Sequence, residues 1–336
     1  MSKRKLSRQQ QWRIEKVQAE RTKRAEKRET QDRDKLDAGE YGSEQHGRVI
    51  AHYGRSLEVE SESGSLHRCH LRANLETLVT GDRVIWREAS DASGVVVARG
   101  ARTTELERPD MRGVLKPVAA NIDQILIVFA AEPAPQPNLI DRYLIAAEAT
   151  GITPVLVLNK VDLLPESGGE LRDLLARYEA LGYEVVACTT RGESGLDALK
   201  AQLSDRTSVF VGQSGVGKSS LIGMLLPREE VRVGPLSAES RQGMHTTTTA
   251  WLYHMPDGGD LIDSPGIREF GLVHLTPEQV TDGFREFHDY LGYCRFRDCK
   301  HEKEPGCALL QAVDNGEIGR VRFESYKKIL LSLTES

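Results

Sequence analysis

The chain has 336 residues, of which 39% are hydrophobic and 28% are charged, and its formal net charge is −5. This length and composition are typical of a soluble protein with two or three domains. No run approaches the roughly 20 apolar residues of a membrane-spanning helix, and the polar start argues against a secretory signal. We therefore expect a cytoplasmic protein without membrane association. Its five cysteines are then expected to be thiols or metal ligands and not disulfides.

Residues 1–40 form a basic arm with too few apolar side chains to fill a core face. Residues 1–35 alone carry 13 basic and 6 acidic residues, so the rest of the chain is acidic. We predict that the arm is disordered or weakly helical when free. Such an arm binds phosphate backbones electrostatically, and a solvated tail without a partner is the alternative.

Residues 41–103 are predicted to form an all-β barrel. Five short alternating runs are separated by turn signals such as Ser63-Gly64 and Gly81-Asp82. The runs are Val49–Tyr53, Leu57–Val59, Leu66–Leu71, Val84–Trp86 and Val95–Val97. This spacing suits a barrel of the oligonucleotide-binding type, although periodicity alone does not exclude an SH3-like barrel. The sequence leaves open whether the barrel binds RNA or is purely structural.

Residues 104–272 alternate strands and helices, which predicts a central doubly wound α/β domain. Its first strand, Ile122–Ala130, is a continuous apolar run of the kind found in buried parallel strands. Residues 273–336 are predicted to be a mostly helical domain around a cysteine-rich segment.

A complete phosphate-binding loop ends at Lys218 and Ser219, between a predicted strand and a predicted helix. Glycines let the backbone N–H groups turn towards the phosphates, and Lys218 supplies charge to the β- and γ-phosphates. The Ser219 hydroxyl is the expected magnesium ligand. A glycine-rich turn without a ligand is the alternative, which the complete spacing disfavours. The expected binding residues are Gly212, Gln213, Ser214, Gly215, Val216, Gly217, Lys218, Ser219 and Ser220.

A guanine-reading tetrad precedes this loop in the chain. It consists of Asn159, Lys160, Val161 and Asp162, directly after a predicted buried strand. The Asp162 carboxylate accepts two N–H groups of guanine, whereas adenine would leave it unsatisfied. Four residues are a weak signal alone and a strong one beside the phosphate loop. An Asn-Lys turn with a capping Asp is the alternative.

Two further motifs complete the nucleotide site. Asp263 is expected in the magnesium shell, and Gly266 is expected to give its N–H to the γ-phosphate. Residues 243–249 form a threonine-rich loop that is expected to sense the γ-phosphate, with Thr247 or Thr248 as the preferred magnesium ligand. A plain turn and an ordinary surface loop are the respective alternatives.

A Cys₃His set near the carboxyl end predicts a structural zinc site. Its members are Cys294, Cys299, His301 and Cys307. Four complete ligands leave no open coordination position, which is typical of structural zinc. Reduced, unliganded cysteines are the alternative. Interleaved Arg295, Arg297 and Lys300 are candidates to face RNA.

The motif order is base tetrad, phosphate loop, threonine loop and Asp263–Gly266, which resembles the circularly permuted GTPases. With the barrel before and the Cys/His segment after, residues 40 to 330 resemble the family of ribosome small subunit-dependent GTPase A. The resemblance implies an oligonucleotide-binding barrel, a permuted GTPase domain and a carboxyl-terminal zinc domain. It also implies GTP or GDP, magnesium and one zinc as cofactors, and a late role in maturation of the small ribosomal subunit, whose binding stimulates hydrolysis.

The segment Cys188-Thr189-Thr190 departs from the Ser-Ala that this family usually has in its second base-contacting loop. Backbone N–H groups of Thr189 and Thr190 are still expected to reach the guanine O6.

The residue after Gly266 is Ile267, and an isoleucine cannot orient an attacking water as the glutamine of Ras-type enzymes does. His245 is the candidate for that role, from its chemistry and from the resemblance, and a surface histidine is the alternative. Arg241 and Arg268 are further candidates to stabilise the γ-phosphate. Slow intrinsic turnover is expected until a partner orders the threonine loop.

The leading hypothesis is a GTP hydrolase that times its release from ribosomal RNA. The rival hypothesis is a nucleotide-gated RNA chaperone in which hydrolysis is incidental. A metabolic ATPase or kinase is disfavoured by Asp162 and by the lack of a second-substrate motif. The expected partners are the small ribosomal subunit and its rRNA, and without a long heptad pattern the protein is expected to be a monomer.

Overall fold

The computed structural model describes residues 41–54, 56–72, 75, 77–89, 93–110, 113–164, 169–192, 194–226, 250–264, 267 and 275–334. They form two compact units. The first contains the residues up to Leu78 and Arg83–Ala101, and the second contains Val79–Asp82 and the chain from Arg102 onward. Several sequence predictions lie outside the described residues, namely the arm at residues 1–40, His245, Thr247, Thr248, Gly266, Arg241 and Arg268.

The first unit is the expected barrel of five strands. Antiparallel pairs join β1 to β2, β2 to β3, β4 to β5 and β1 to β4, and a parallel pair joins β3 to β5. Consecutive hairpins alone cannot make a parallel pair, so the barrel is not a simple meander. The strands are β1 (Tyr41–His52), β2 (Ser56–Ser61), β3 (Leu66–Leu71), β4 (Arg83–Ala89) and β5 (Ser93–Arg99).

Trp86 lies at the centre of the barrel core and is fully buried. It packs with Val49, Leu57 and Cys69 among other apolar residues. Gly94 makes room for this packing, because an added Cβ there would lie 2.6 Å from the Cys69 sulfur and 2.7 Å from the Trp86 ring. Alternation of apolar and polar residues along the strands therefore builds one compact core, as predicted.

The second unit contains a six-stranded sheet in the order β10-β9-β8-β11-β13-β12. All neighbours are parallel except β12, which runs antiparallel to β13. The central strand β8 is buried along its whole length, which explains its continuous apolar sequence. The strands are β8 (Gln124–Ala130), β9 (Thr153–Asn159), β10 (Glu184–Ala187), β11 (Thr207–Val211), β12 (Trp251–His254) and β13 (Asp260–Asp263).

Within the part of the chain that the structure describes, four α-helices connect or follow these strands. They are α1 (Pro137–Thr150), α2 (Gly169–Ala180), α3 (Asp197–Leu203) and α4 (Lys218–Leu225). Helix α1 shows why the boundaries fall where they do. Pro137 occupies its first turn, where the missing N–H costs nothing, and Gly151 ends it in a left-handed conformation with φ 70°.

A two-stranded hairpin was not predicted from the sequence. It pairs β6 (Glu105–Pro109) with β7 (Leu115–Ala120). The Arg102 side chain, just before β6, is 9% exposed and forms an ion pair with fully buried Asp82, at 2.7 Å between Nε and Oδ1. The hairpin is thus joined to the segment Val79–Asp82 within the second unit.

Among its described residues, the carboxyl-terminal region contains three α-helices, α5 (Pro277–Asp282), α6 (Ala308–Asp314) and α7 (Arg320–Thr334). It packs against α1 through α7 and α5. Buried Arg322 of α7 forms ion pairs with Asp141 of α1 and with Glu286. Aromatic rings surround this network, and the Arg322 guanidinium lies 4.5 Å from the centre of the Phe284 ring. Among the described residues, no helix has the length and apolarity needed to span a bilayer.

Candidate nucleotide site and metal centre

Described residues of three predicted nucleotide motifs lie at one edge of the sheet. Strand β9 ends at Asn159, β11 ends at Val211 and β13 ends at Asp263, and these three strands run parallel. Strands β9 and β10 extend the sheet on one side of β8, whereas β11 lies on the other side of β8. The strand order therefore reverses between β8 and β11. Open α/β sheets bind ligands at such a reversal, outside the carboxyl ends of the strands.

The phosphate loop leaves β11 at Gly212 and enters α4 at Lys218. Gly212 has φ 137°, and an added Cβ would lie 2.2 Å from the Val128 carbonyl oxygen. Gly217 has φ 97° at the N-cap of α4. No residue with a side chain fits the first position, and the second is strained for any L-residue. The glycines of the motif are therefore required by the backbone path.

Lys218 and the serines after it lie on the first turn of α4. The Lys218 ammonium donates hydrogen bonds to the Gly212 and Gln213 carbonyl oxygens, at 2.6 and 2.7 Å. Ser219 and Ser220 are exposed. An ammonium group, a helix amino terminus and exposed hydroxyls at the sheet edge are the chemistry that a phosphate and its metal require.

The base tetrad contacts the phosphate loop directly, although 52 positions separate Asn159 from Val211 in the sequence. Buried Asn159 donates through Nδ2 to the Val216 carbonyl oxygen at 2.9 Å. Lys160, which adopts a left-handed backbone with φ 60°, donates through Nζ to the carbonyl oxygens of Gly215 and Glu132, both at 2.8 Å. The first two tetrad residues thus fix the position of the loop.

Asp162 of the tetrad is held by two neighbours. The Thr189 hydroxyl donates to Oδ1 at 2.5 Å, and Arg191 Nε lies 3.2 Å from Oδ2. The hydrogen bond from Thr189 lowers the pKa of Asp162, and the charges of Arg191 and Lys160 add to this effect. The carboxylate is therefore ionised at neutral pH and suited to accept N–H groups of a base.

The second base-contacting loop differs in one respect from its expectation. The Thr189 N–H was expected to reach the guanine O6, but it donates to the Gly195 carbonyl oxygen at 2.9 Å. Thr189 instead contributes its hydroxyl to Asp162. Cys188 supports the same loop, because its carbonyl oxygen accepts the Val161 N–H at 3.3 Å. Burial raises the pKa of the Cys188 thiol to about 12, so this thiol stays neutral.

Asp263 ends β13 beside the strand that feeds the phosphate loop. Ile262, one residue earlier, pairs with Val209 of β11, and Asp263 itself pairs with Trp251. This position suits a carboxylate that ligates magnesium near the loop. Ile267 has 2% of its surface exposed, so its side chain cannot orient a water at the site.

The four predicted metal ligands converge. One donor atom from each of Cys294, Cys299, His301 and Cys307 lies within 4.8 Å of the other three. Cys294 Sγ lies 3.9 Å from Cys307 Sγ and 3.5 Å from His301 Nδ1. Bond lengths of about 2.3 Å for Zn–S and 2.0 Å for Zn–N give tetrahedral edges of roughly 3.5–3.8 Å. The donor set and its spacing fit zinc, and the sulfurs are too far apart for a disulfide.

The protonation states of this cluster follow from burial. Burial raises the pKa of the Cys299 thiol to about 12 and also raises that of Cys307, while it lowers the pKa of His301. A metal binds thiolate and neutral imidazole, so metal binding at this cluster would release thiol protons.

Three participants were missed by sequence reasoning. Arg191 pairs with Asp162, Glu132 accepts from Lys160 through its backbone, and Glu304 binds the backbone of the metal loop. The position of Arg191, a basic residue directly after Thr190, was a weak signal for its pairing with Asp162. A backbone carbonyl carries no sequence signal at all, so the second was out of reach.

Comparison with known proteins agrees with this geometry. The model of the family RsgA GTPase matches residues 99–273. The "Small ribosomal subunit biogenesis GTPase RsgA" of Chromohalobacter salexigens is 70% identical over 99% of this chain and 99% of its own. The protein of the same name from Hahella chejuensis is 57% identical over 100% of this chain and 98% of its own.

Two solved structures have the same fold. YjeQ from Thermotoga maritima superposes with a TM-score of 0.71 at 32% identity, over 88% of this chain and 100% of its own. YloQ, described as a circularly permuted GTPase, gives a TM-score of 0.69 at 28% identity, over 87% and 96%. With the permuted motif order and the full-length relatives, these matches show that the chain belongs to the RsgA GTPase family and is a GTP hydrolase.

Proposed function

We propose that this GTPase binds the small ribosomal subunit, contacts its rRNA and uses GTP hydrolysis to time a late step of subunit maturation. We further propose that the subunit stimulates hydrolysis. The observation that carries the proposal is full-length identity of 70% to a protein named for small-subunit biogenesis. Such a role belongs in the cytoplasm, where subunits are assembled.

We infer the nucleotide roles from the motifs, and the positions of the described side chains support them. Asp162 reads guanine, and the N–H of Thr190 is the remaining candidate of its loop for the guanine O6. Lys218 and the loop backbone would bind the phosphates, while Ser219 and Asp263 would hold magnesium. The contact of Asn159 with Val216 supports this assignment, because it sets the distance between the base-reading and phosphate-binding residues. Bound magnesium would neutralise charge that develops on the phosphates.

The attacking water needs a polar group that Ile267 does not supply. We assign this role to His245, with Gly266 and a threonine, Thr247 or Thr248, completing the γ-phosphate contacts. A histidine accepts a hydrogen bond from water and titrates near neutrality. The support for the assignment is the chemistry of the imidazole, and we expect hydrolysis to be slow until the partner binds.

The carboxyl-terminal cluster supports a structural zinc site with an RNA-facing surface. Cys294, Cys299, His301 and Cys307 would hold zinc, which would fix the conformation of a segment with little apolar core of its own. This segment exposes 78% of Tyr293 and 43% of Phe296. The Arg295 guanidinium lies 5.6 Å from the Phe296 ring, and Arg297 and Lys300 are exposed nearby. Exposed aromatic rings interleaved with cations are typical of single-stranded nucleic-acid contacts.

Co-sedimentation tests the partner. The protein is mixed with small or large ribosomal subunits in GDP or in a non-hydrolysable GTP analogue, and pelleted protein is measured. We expect binding to the small subunit alone and more of it with the analogue. Lys218→Ala is the control and should lose the nucleotide dependence while the RNA contacts remain. Equal pelleting with large subunits, or none with either, would contradict the proposed partner.

A further inference from the structure

The loop between the second and fourth ligands of the metal centre is organised by one carboxylate. Glu304 Oε1 accepts the N–H of Lys300 at 3.0 Å. Its Oε2 accepts the N–H groups of Glu302 at 2.8 Å and of Lys303 at 3.0 Å. Both oxygens are thus engaged by backbone groups on the two sides of His301.

The conformation of His301 explains why such support is needed. His301 has φ 60°, a left-handed conformation that residues with a Cβ rarely adopt. Its Nδ1 lies 3.3 Å from Cys307 Sγ and 3.5 Å from Cys294 Sγ, so this backbone turn aims the ring at the thiols. Its own N–H is hydrogen-bonded to the Cys299 sulfur. Without further contacts, the left-handed conformation of His301 would be unfavourable.

We propose that Glu304 is a positioning residue of the metal centre, which holds the backbone on both sides of His301 so that the imidazole faces the three thiols. This inference rests on the proposed zinc site. Groups that orient metal ligands change metal affinity although they do not touch the metal. Backbone N–H groups, beginning with its own, lower the pKa of Glu304 to about 2. The carboxylate is therefore ionised at neutral pH.

Two other roles for Glu304 make different predictions. As a fifth ligand it would need an oxygen at the cluster, but the group of donor atoms within 4.8 Å of one another contains three cysteines and His301 only, among the described residues. As a source of negative charge it would act like any carboxylate of the loop. Glu302 is such a carboxylate, because its side chain is exposed and its backbone N–H is what Glu304 binds.

The test compares Glu304→Gln with Glu302→Gln in the full-length protein. Both variants remove one charge from the same loop, and only the first removes an acceptor of the backbone bonds. Zinc affinity is measured by competition with a chromogenic chelator. We expect Glu304→Gln to weaken zinc binding by roughly 10- to 100-fold, the usual effect of losing a residue that orients ligands, and Glu302→Gln to leave it unchanged. The absorption spectrum of the cobalt-substituted protein reports ligand geometry independently.

The outcomes separate this inference from the site on which it rests. If the wild-type protein binds no zinc, the proposed metal centre is wrong. If the wild type binds zinc and the two variants match each other, Glu304 has no positioning role. GDP binding by Glu304→Gln shows that the rest of the protein is folded. Should that variant lose GDP binding, Glu304→Asp replaces it, since it keeps the charge and moves the oxygens. Wild-type zinc affinity in Glu304→Asp would then contradict the inference.

Discussion

Gly217 lies where the phosphate loop contacts the base tetrad of the candidate nucleotide site. An added Cβ would lie 2.3 Å from Asn159 Nδ2, the atom that donates to the phosphate loop. The backbone at this position also has φ 97°, which disfavours any side chain. One methyl group would therefore disturb both the loop and the tetrad.

We expect Gly217→Ala to weaken GDP binding by roughly tenfold or more. The left-handed backbone alone costs an alanine about 1–2 kcal/mol, and the clash with Asn159 adds to it. Gly223→Ala on the same helix is the matched control, because nothing lies within 4 Å of its added Cβ. Calorimetry with GDP measures both. Equal affinities for GDP would show that the Asn159 contact does not organise the site.

Asp162→Asn tests how the base is read. Guanine offers two N–H groups to the carboxylate, and hydrogen bonds to a charged group are stronger than those to a neutral group. An asparagine accepts one of them and faces the other with its own amide. We predict a loss of GDP affinity of about 100-fold and a gain for xanthosine diphosphate, whose C2 carbonyl accepts from the amide. Unchanged preference for GDP would remove Asp162 from the base site. Arg191→Gln, which keeps the carboxylate, should retain guanine preference.

The role of a residue could be predicted from the sequence where neighbouring residues determine it, and not where it depends on contacts between distant segments. The glycines of the phosphate loop were predicted because a single turn requires them, and neighbouring positions carry the whole pattern. The contact of Lys160 with the Glu132 backbone depends on the order of strands and has no local signature. The Thr189 hydroxyl bond to Asp162 likewise required two loops to be placed side by side.

At the scale of elements, periodicity located the strands of both cores. The run at Leu66–Leu71 became a strand with those bounds, and the apolar run at Ile122–Ala130 contains β8 (Gln124–Ala130). The hairpin of β6 and β7 was missed because Glu105–Pro109 mixes charged residues with a proline and has no clear alternation. Strand β1 begins eight residues before the predicted run, at Tyr41, because its first half is polar and exposed. Backbone pairing with β4, and not burial of apolar side chains, keeps that half of β1 in the barrel.

Helix α7 is fixed to α1 by a buried ion network. We expect Arg322→Ala to lower the free energy of unfolding by about 3–5 kcal/mol, because Asp141 and Glu286 would remain buried without their cation. Arg320→Ala, in the exposed pair with Asp314, should change it by less than about 0.5 kcal/mol. Chemical denaturation of the full-length variants, followed through the unfolding of the second unit, measures both free energies. Similar values for the two variants would contradict a role of this network in holding α7.

At the scale of the whole molecule, the chain order of the motifs does not determine the site. Asn159 precedes the phosphate loop in the sequence, yet β9, β11 and β13 deliver their motifs to the same edge of the sheet. This convergence is what the resemblance to permuted GTPases led us to expect for the described motifs. The packing of the carboxyl-terminal helices was not predicted, since Asp141 and Arg322 are 181 positions apart and both types of residue are usually exposed.

The central expectation is that the partner of this GTPase is the small ribosomal subunit. The direct measurement is the rate of GTP hydrolysis by the purified protein alone, with small subunits and with large subunits. We predict slow hydrolysis alone, strong stimulation by small subunits, and none by large subunits, with His245→Ala losing the stimulated rate while it retains GTP binding. Fast hydrolysis that no subunit changes, or equal stimulation by both subunits, would contradict the account.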